Sequence, residues 1–214
     1  MRDAAARAVR QAWEGKVSCV QYGLRGGKLM WREVQPDAQA SPLAELFQRS
    51  SFVFAVRALQ VLRERNLVLV RRSCIQSMMN HLRSRKTELG GLMLGVAYVP
   101  RELGSTVAGS ITVIEDTVQS DECRTTSVSL TMNTEVWDKA RQKLGQSKQI
   151  VGWYHSHPNL GAFFSGTDRN TQRSFFNHPY SVGLVIDPLR DEKAWFVGPD
   201  SVQLDADCVK AVDE

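Results

Sequence analysis

Along residues 67–197 the chain alternates short β-type apolar runs with segments of helical periodicity, and this alternation constrains its fold more than any other feature. Strands are expected at 67–70, 88–96, 109–118, 126–131, 149–157, 181–186 and 193–197. Helices are expected at 73–85, where Ile75, Met78, Met79 and Leu82 form an apolar stripe and Ser73 offers a cap, at 133–144, opened by Asn133 and stopped by Gly145, and at 167–177. Some strands follow one another directly and others are separated by helices. That is the pattern of an α/β or α+β domain, a mixed β-sheet flanked by helices. Ahead of it come a short helix at 3–14, a hairpin of strands 17–22 and 28–34 around a Gly-rich turn, a loop at 35–41 and a mostly helical stretch at 42–64. A boundary near residue 66 is therefore expected, with an N-terminal accessory region at 1–66 and the main domain at 67–214.

Composition narrows the class. Of 214 residues, 43% are hydrophobic and 23% charged, which excludes disorder and leaves enough apolar side chain for a core. The longest uncharged apolar runs, such as 52–56 and 67–70, fall far short of the ~20 residues that span a bilayer. The first residues lack the apolar segment of a secretory signal. Cys19, Cys74, Cys123 and Cys208 are scattered and form no CxxC, which suits free buried thiols in a reducing compartment, so a cytoplasmic location is expected. Residues 1–87 carry 16 Lys and Arg against 6 Asp and Glu, and residues 88–214 carry 11 against 17. A basic front half invites a nucleic-acid reading, but most of its arginines interrupt apolar patterns as solvated helix faces do.

Chemistry concentrates at 150–168. His155 and His157 stand two apart at the end of a strand, so both imidazoles leave the same face. Pro158 turns the chain, and Ser165 and Asp168 follow in an S-x-x-D arrangement. Taken singly, the histidines read as a surface pair and Ser165–Asp168 as a helix capping box. Together they bring two imidazoles and a carboxylate within 14 residues, and three N/O ligands with an open fourth position are the plan of a catalytic zinc site. Such a site needs a base. Glu88, opening an otherwise apolar strand before Gly90 and Gly91, is the candidate, although a lone carboxylate there also reads as a solvated strand start.

Glu88, then His155-Ser156-His157-Pro158, then Ser165-x-x-Asp168, with Gly152-Trp153-Tyr154 before the histidines and Asp187-Pro188 downstream, resembles the signature of the JAMM (MPN+, JAB1/MPN/Mov34) zinc metalloprotease family. The resemblance spans about 67–199. It implies a cytidine-deaminase-like MPN/JAB core, one Zn²⁺ per chain held by His155, His157 and Asp168, Glu88 as the acid–base residue and Ser165 as the oxyanion donor. The implied reaction is hydrolysis after the C-terminal Gly-Gly of ubiquitin or a ubiquitin-like protein, as deconjugation or precursor processing. The implied partners are that protein, its conjugates and other components of such a conjugation system. Family members grip the tail with an insertion, and here the stretch from Glu115 to Met132 lies in that place; its Glu115, Asp116, Asp121 and Glu122 could meet a basic residue near the tail. Little chain follows Asp168 for a further zinc-binding insertion, which resembles prokaryotic members. A non-catalytic MPN-type interaction module and a RadC-like nucleic-acid-associated protein are the alternatives. The run Leu24-Arg25-Gly26-Gly27 matches the way ubiquitin ends, but Gly-Gly between two β-type runs is an ordinary hairpin turn.

Overall fold

The computed structural model describes residues 19–213 apart from 26–27, 35–39, 101–107, 121–122, 127–128, 133 and 146–147. The chain divides into two units, Met1–Gln39 and Ala40–Glu214. In the first, β1 (Cys19–Arg25) pairs antiparallel with β2 (Lys28–Val34), in register from Cys19↔Val34 to Arg25↔Lys28. This is the expected hairpin. The helix expected at 3–14 lies outside the described residues.

The second unit is a mixed sheet flanked by helices, as expected. Its elements are β3 (Ser41–Pro42), α1 (Leu43–Arg49), α2 (Phe52–Leu62), β4 (Leu67–Arg71), α3 (Arg72–Arg83), β5 (Gly90–Val99) and β6 (Ile111–Gln119). There follow β7 (Cys123–Thr126), β8 (Ser129–Met132), α4 (Thr134–Leu144), β9 (Gln149–Ser156), α5 (Gly166–Phe175), β10 (Val182–Asp187), β11 (Glu192–Val197), β12 (Val202–Gln203) and β13 (Val209–Val212). The strand order is β12-β11-β10-β9-β5-β6-β4-β13, with β3 beside β5. Neighbours run parallel at β9/β10, β4/β6 and β4/β13, and antiparallel at β5/β6, β5/β9, β10/β11 and β11/β12. No helix among the described residues is long and apolar enough to cross a membrane.

The helices cover both faces. On one side Cys74, Met78 and Leu82 of α3 pack onto Val68, Val70, Met93 and Val151. On the other, Val136 and Ala140 of α4 pack onto Leu92, Leu94 and Trp153, and α2 adds Ala58 and Leu62 against Leu67 and Leu69. β4 thus buries alternate residues in two different cores, which is why it reads as the unbroken apolar run Leu67–Val70. Among the described cysteines, Cys74 and Cys208 are free and buried.

α2 buries Ala58 and Leu62 against β4, and contacts divide the chain between Gln39 and Ala40. Two expectations shift. Ser73 lies within the first turn of α3; Arg71 occupies the cap position and makes no side-chain capping bond. Asn133, the cap expected for α4, lies outside the described residues. The single strand expected at 126–131 is a hairpin, with β7 pairing β8 from Cys123↔Met132 to Thr126↔Ser129. Finally, β13 was not legible in advance. Val209–Val212 alternates too briefly to mark a strand, and it forms by parallel pairing with β4, across a separation no local pattern reveals.

Candidate metal centre

Two central strands end side by side at the site. β5 and β9 run antiparallel with Gly90 opposite His155 and Gly91 opposite Tyr154. The ladder continues one residue further, where the Ser156 N–H donates to the Leu89 carbonyl (2.9 Å) and the Leu89 N–H to Ser156 Oγ (3.0 Å). Opposed residues share a face, so His155 points to the side where Gly90 brings no side chain, and Glu88 returns to that same side. A register shift beside Met93–Leu94 is a β-bulge. It sends Val151 and Tyr154 to one core and Trp153 to the other.

His157 follows the last residue of β9, its N–H donating to the Ile186 carbonyl at 3.0 Å. The turn beyond is closed by Asp187, fully buried at the end of β10, whose carboxylate accepts the N–H groups of Asn159 (3.0 Å), Gly161 (2.8 Å), Leu189 (3.0 Å) and Arg190 (3.2 Å). Burial pushes this carboxyl upward, but the backbone donors, Gly161 and Asn159 foremost, bring it down to about 2. Asn159 and Gly161 both hold positive φ, 62° and 91°. That conformation suits Asn and Gly.

Asp168 arrives on the first turn of α5. The capping box read from Ser165–Asp168 is present: the Asp168 N–H donates to Ser165 Oγ (3.2 Å) and the Ser165 N–H to Asp168 Oδ2 (2.7 Å). The metal-site reading of the same residues has geometric support as well, so the two do not compete. His155 Nε2 lies 3.3 Å from Asp168 Oδ1, His157 Nε2 lies 3.5 Å from Oδ2, and the two Nε2 atoms are 3.2 Å apart. All three residues are buried. Burial pushes the Asp168 carboxyl up, but His155 and both the side chain and backbone of Ser165 bring it to about 2, so it is an anion at neutral pH. Burial, and next His155, lower the His157 pKa, keeping that imidazole neutral and able to donate a lone pair.

These residues fit a zinc ion. Four ligands at the usual Zn–N distance of ~2.0–2.1 Å stand about 3.3 Å apart at tetrahedral angles, and the three separations above are 3.2–3.5 Å. Two buried imidazoles aiming Nε2 at one another need a cation between them or a proton on one of them. His155 Nδ1 has no hydrogen-bond partner among the described residues, the Gly161 backbone hydrogen-bonds His157, and both rings direct Nε2 inward.

Glu88 is half-buried. Desolvation raises its pKa; His155 opposes and Asp168 adds to the shift, which puts the carboxylate within electrostatic reach of both. A carboxyl raised toward neutrality suits proton transfer. The structure therefore brings together Glu88, His155, His157, Ser165 and Asp168. It treats the stretch from Glu115 to Met132 differently along its length. β6 lies between β5 and β4, with Val118 buried; Glu115 pairs with Arg71 (3.0 Å) and Lys148 (3.9 Å), and Asp116 with Lys143 (3.3 Å). These two acids are already engaged within the fold. Asp121 and Glu122 lie outside the described residues. β7 and β8 remain as a two-stranded sheet of their own.

The sequence by itself marks no role for Ser156, Trp153, Gln172 and Asp187, which bond or pack around these residues. The signals were present in Gly152-Trp153-Tyr154 and Asp187-Pro188, but their hydrogen bonds join elements far apart in the chain.

Comparison with known proteins identifies the family. The chain is 33% identical over 125 residues to COP9 signalosome complex subunit 5 of Drosophila melanogaster, covering 55% of this chain and 35% of that one. It is 42% identical over 53 residues to the ubiquitin carboxyl-terminal hydrolase RPN11 of Saccharomyces cerevisiae, covering 24% and 17%. It thus spans about a third or less of the length of these curated relatives. A solution structure of a protein from Desulfitobacterium hafniense aligns with a TM-score of 0.49 at 18% identity, covering 69% of this chain and 94% of that one. Residues 64–178, more than half of the chain, match the family profile described as JAB1/Mov34/MPN/PAD-1 ubiquitin protease. The chain belongs to that family.

Proposed function

We propose that this chain is a zinc-dependent isopeptidase or peptidase that cleaves after the C-terminal Gly-Gly of ubiquitin or a ubiquitin-like protein. The observation that carries the reading is the convergence of His155, His157 and Asp168 at 3.2–3.5 Å, with Glu88 within electrostatic reach. His155, His157 and Asp168 would hold the zinc. When bound, zinc polarises a scissile carbonyl and acidifies water. Glu88 takes the proton of the attacking water and returns it to the departing amine. The Ser165 Oγ accepts the Asp168 N–H and still has its hydroxyl proton to donate to the oxyanion. Ubiquitin hydrolysis is named for the RPN11 relative and is carried to this chain as part of the proposal.

The test is zinc stoichiometry of the purified protein, followed by incubation with a panel of ubiquitin and ubiquitin-like conjugates, reading product masses. One zinc per chain and a product ending in Gly-Gly support the reading. Zinc without cleavage of any conjugate favours a non-catalytic interaction module, and steeply salt-dependent nucleic-acid binding without zinc favours the nucleic-acid alternative.

The tail of the substrate is proposed to add as an extended strand to the β7–β8 hairpin. Two features support this: the hairpin pairs with no other described strand, and β8 lies against α5, the helix that carries Asp168. Shortening Asp121–Ser127 is expected to reduce conjugate turnover at least tenfold while zinc content and melting temperature stay near wild type. Wild-type turnover in that variant would move the grip elsewhere.

A further inference from the structure

A metal-bound histidine is normally held in place by a hydrogen bond from its second ring nitrogen to a carboxylate or carbonyl. His155 lacks one: its Nδ1 is buried without a partner among the described residues. Its ring lies instead flat on the indole of Trp153, with centroids 4.6 Å apart and planes 5° apart, and Phe164 packs nearby at 5.9 Å. Stacking fixes the plane of the imidazole only as firmly as Trp153 is itself held. Its Nε1–H donates to Gln172 Oε1 at 2.7 Å.

Gln172 is fully buried on α5, four residues after Asp168. Its Nε2 faces the carbonyls of Phe176 (3.3 Å), Ser181 (3.2 Å) and Gly198 (3.2 Å). Turning the amide over would set its oxygen against three carbonyl oxygens and its nitrogen against the indole N–H. One orientation is therefore imposed, with Oε1 toward Trp153. Gly183 leaves the room: a Cβ there would meet Phe164 Cζ and Gln172 Oε1.

We propose that Gln172 is a positioning residue for the metal centre, acting through Trp153 to fix the ring of His155. The amide and stacked indole replace the direct hydrogen bond that a metal-binding histidine usually makes. The proposal rests on the reading of His155 as a zinc ligand. α5 then serves the site twice, carrying Asp168 itself and holding His155 through Gln172.

The test measures zinc affinity by chelator competition for Gln172→Met, Trp153→Phe and the double variant. Gln172→Met keeps the volume and removes the acceptor, whereas Trp153→Phe keeps a stacking ring and removes the donor. Each single variant is expected to bind zinc about tenfold or more weakly, within the ~10–100-fold range for such supporting contacts. The double variant is expected to be little worse than either, since both break one link. Leu62→Ala, in the separate α2–β4 core, is the control that lowers the melting temperature while leaving zinc affinity unchanged. If Gln172→Met does not fold, Trp153→Phe carries the test alone. Unchanged affinity in Trp153→Phe, fully additive losses, or an equal loss in Leu62→Ala would overturn the proposal. A wild-type protein that binds no zinc would overturn the ligand assignment instead. In that case the His155 ring ¹⁵N signals of zinc-free protein at fixed pH decide the inference: broadening in Gln172→Met supports it and unchanged signals overturn it.

Discussion

Glu88→Gln is expected to lower conjugate turnover by ~10²-fold or more while the protein keeps its zinc. The substitution preserves shape and removes only the ability to take up a proton. Glu88 stands on the same side of the sheet as His155, and desolvation raises its pKa above the ordinary carboxylate value, the direction that favours taking up a proton. Zinc content should not change, because the three converging ligand atoms belong to His155, His157 and Asp168. Single-turnover assays on the zinc-loaded variant, with elemental analysis of the same sample, separate the two quantities. Cleavage at the wild-type rate would reduce Glu88 to a carboxylate that merely begins a strand.

Asp168→Ala is expected to abolish zinc retention and also to destabilise the zinc-free fold by about 1 kcal/mol, the usual worth of a helix cap. Oδ2 of Asp168 accepts the Ser165 N–H and Oδ1 faces His155, so one carboxylate serves the helix and the site together. Ser165→Ala tests the partition: it should show a comparable loss of zinc-free stability while retaining zinc. The acid dependence follows from the depressed carboxyl. A group with a folded pKa of about 2, below its unfolded value, stabilises above the unfolded value and loses that contribution as pH falls toward 2. The difference in zinc-free stability between wild type and Asp168→Ala should therefore shrink on acidification. Zinc release from wild type should come at higher pH, where protonation removes the imidazole lone pairs. Undiminished zinc in Asp168→Ala would remove Asp168 from the ligand set.

Much of this was legible in residue order because the signals are local. The alternation of Trp153, His155 and His157 along a strand, the Ser165–Asp168 spacing of a capped helix, and the stripe Met78–Leu82 each report interactions within a turn or a strand. They mark β9, α5 and α3, and the residues that converge, in the sequence itself. Tertiary structure decided what depends on partners distant in the chain. Only the pairing of Gly90 with His155 brings Glu88, 67 residues upstream, toward the His155–His157–Asp168 cluster, and only the burial of Ala58 and Leu62 against β4 joins 43–62 to the main unit. The placement of β13 beside β4 and the engagement of Glu115 by Arg71 and Lys148 are of the same kind. So is the support of His155 by Gln172 through Trp153. Local periodicity and capping come from backbone geometry within a few residues, so a sequence records them directly. Sheet register, buried amide networks and stacked rings are set by which elements pack together, and a residue carries no mark of its partner until the fold brings the two into contact.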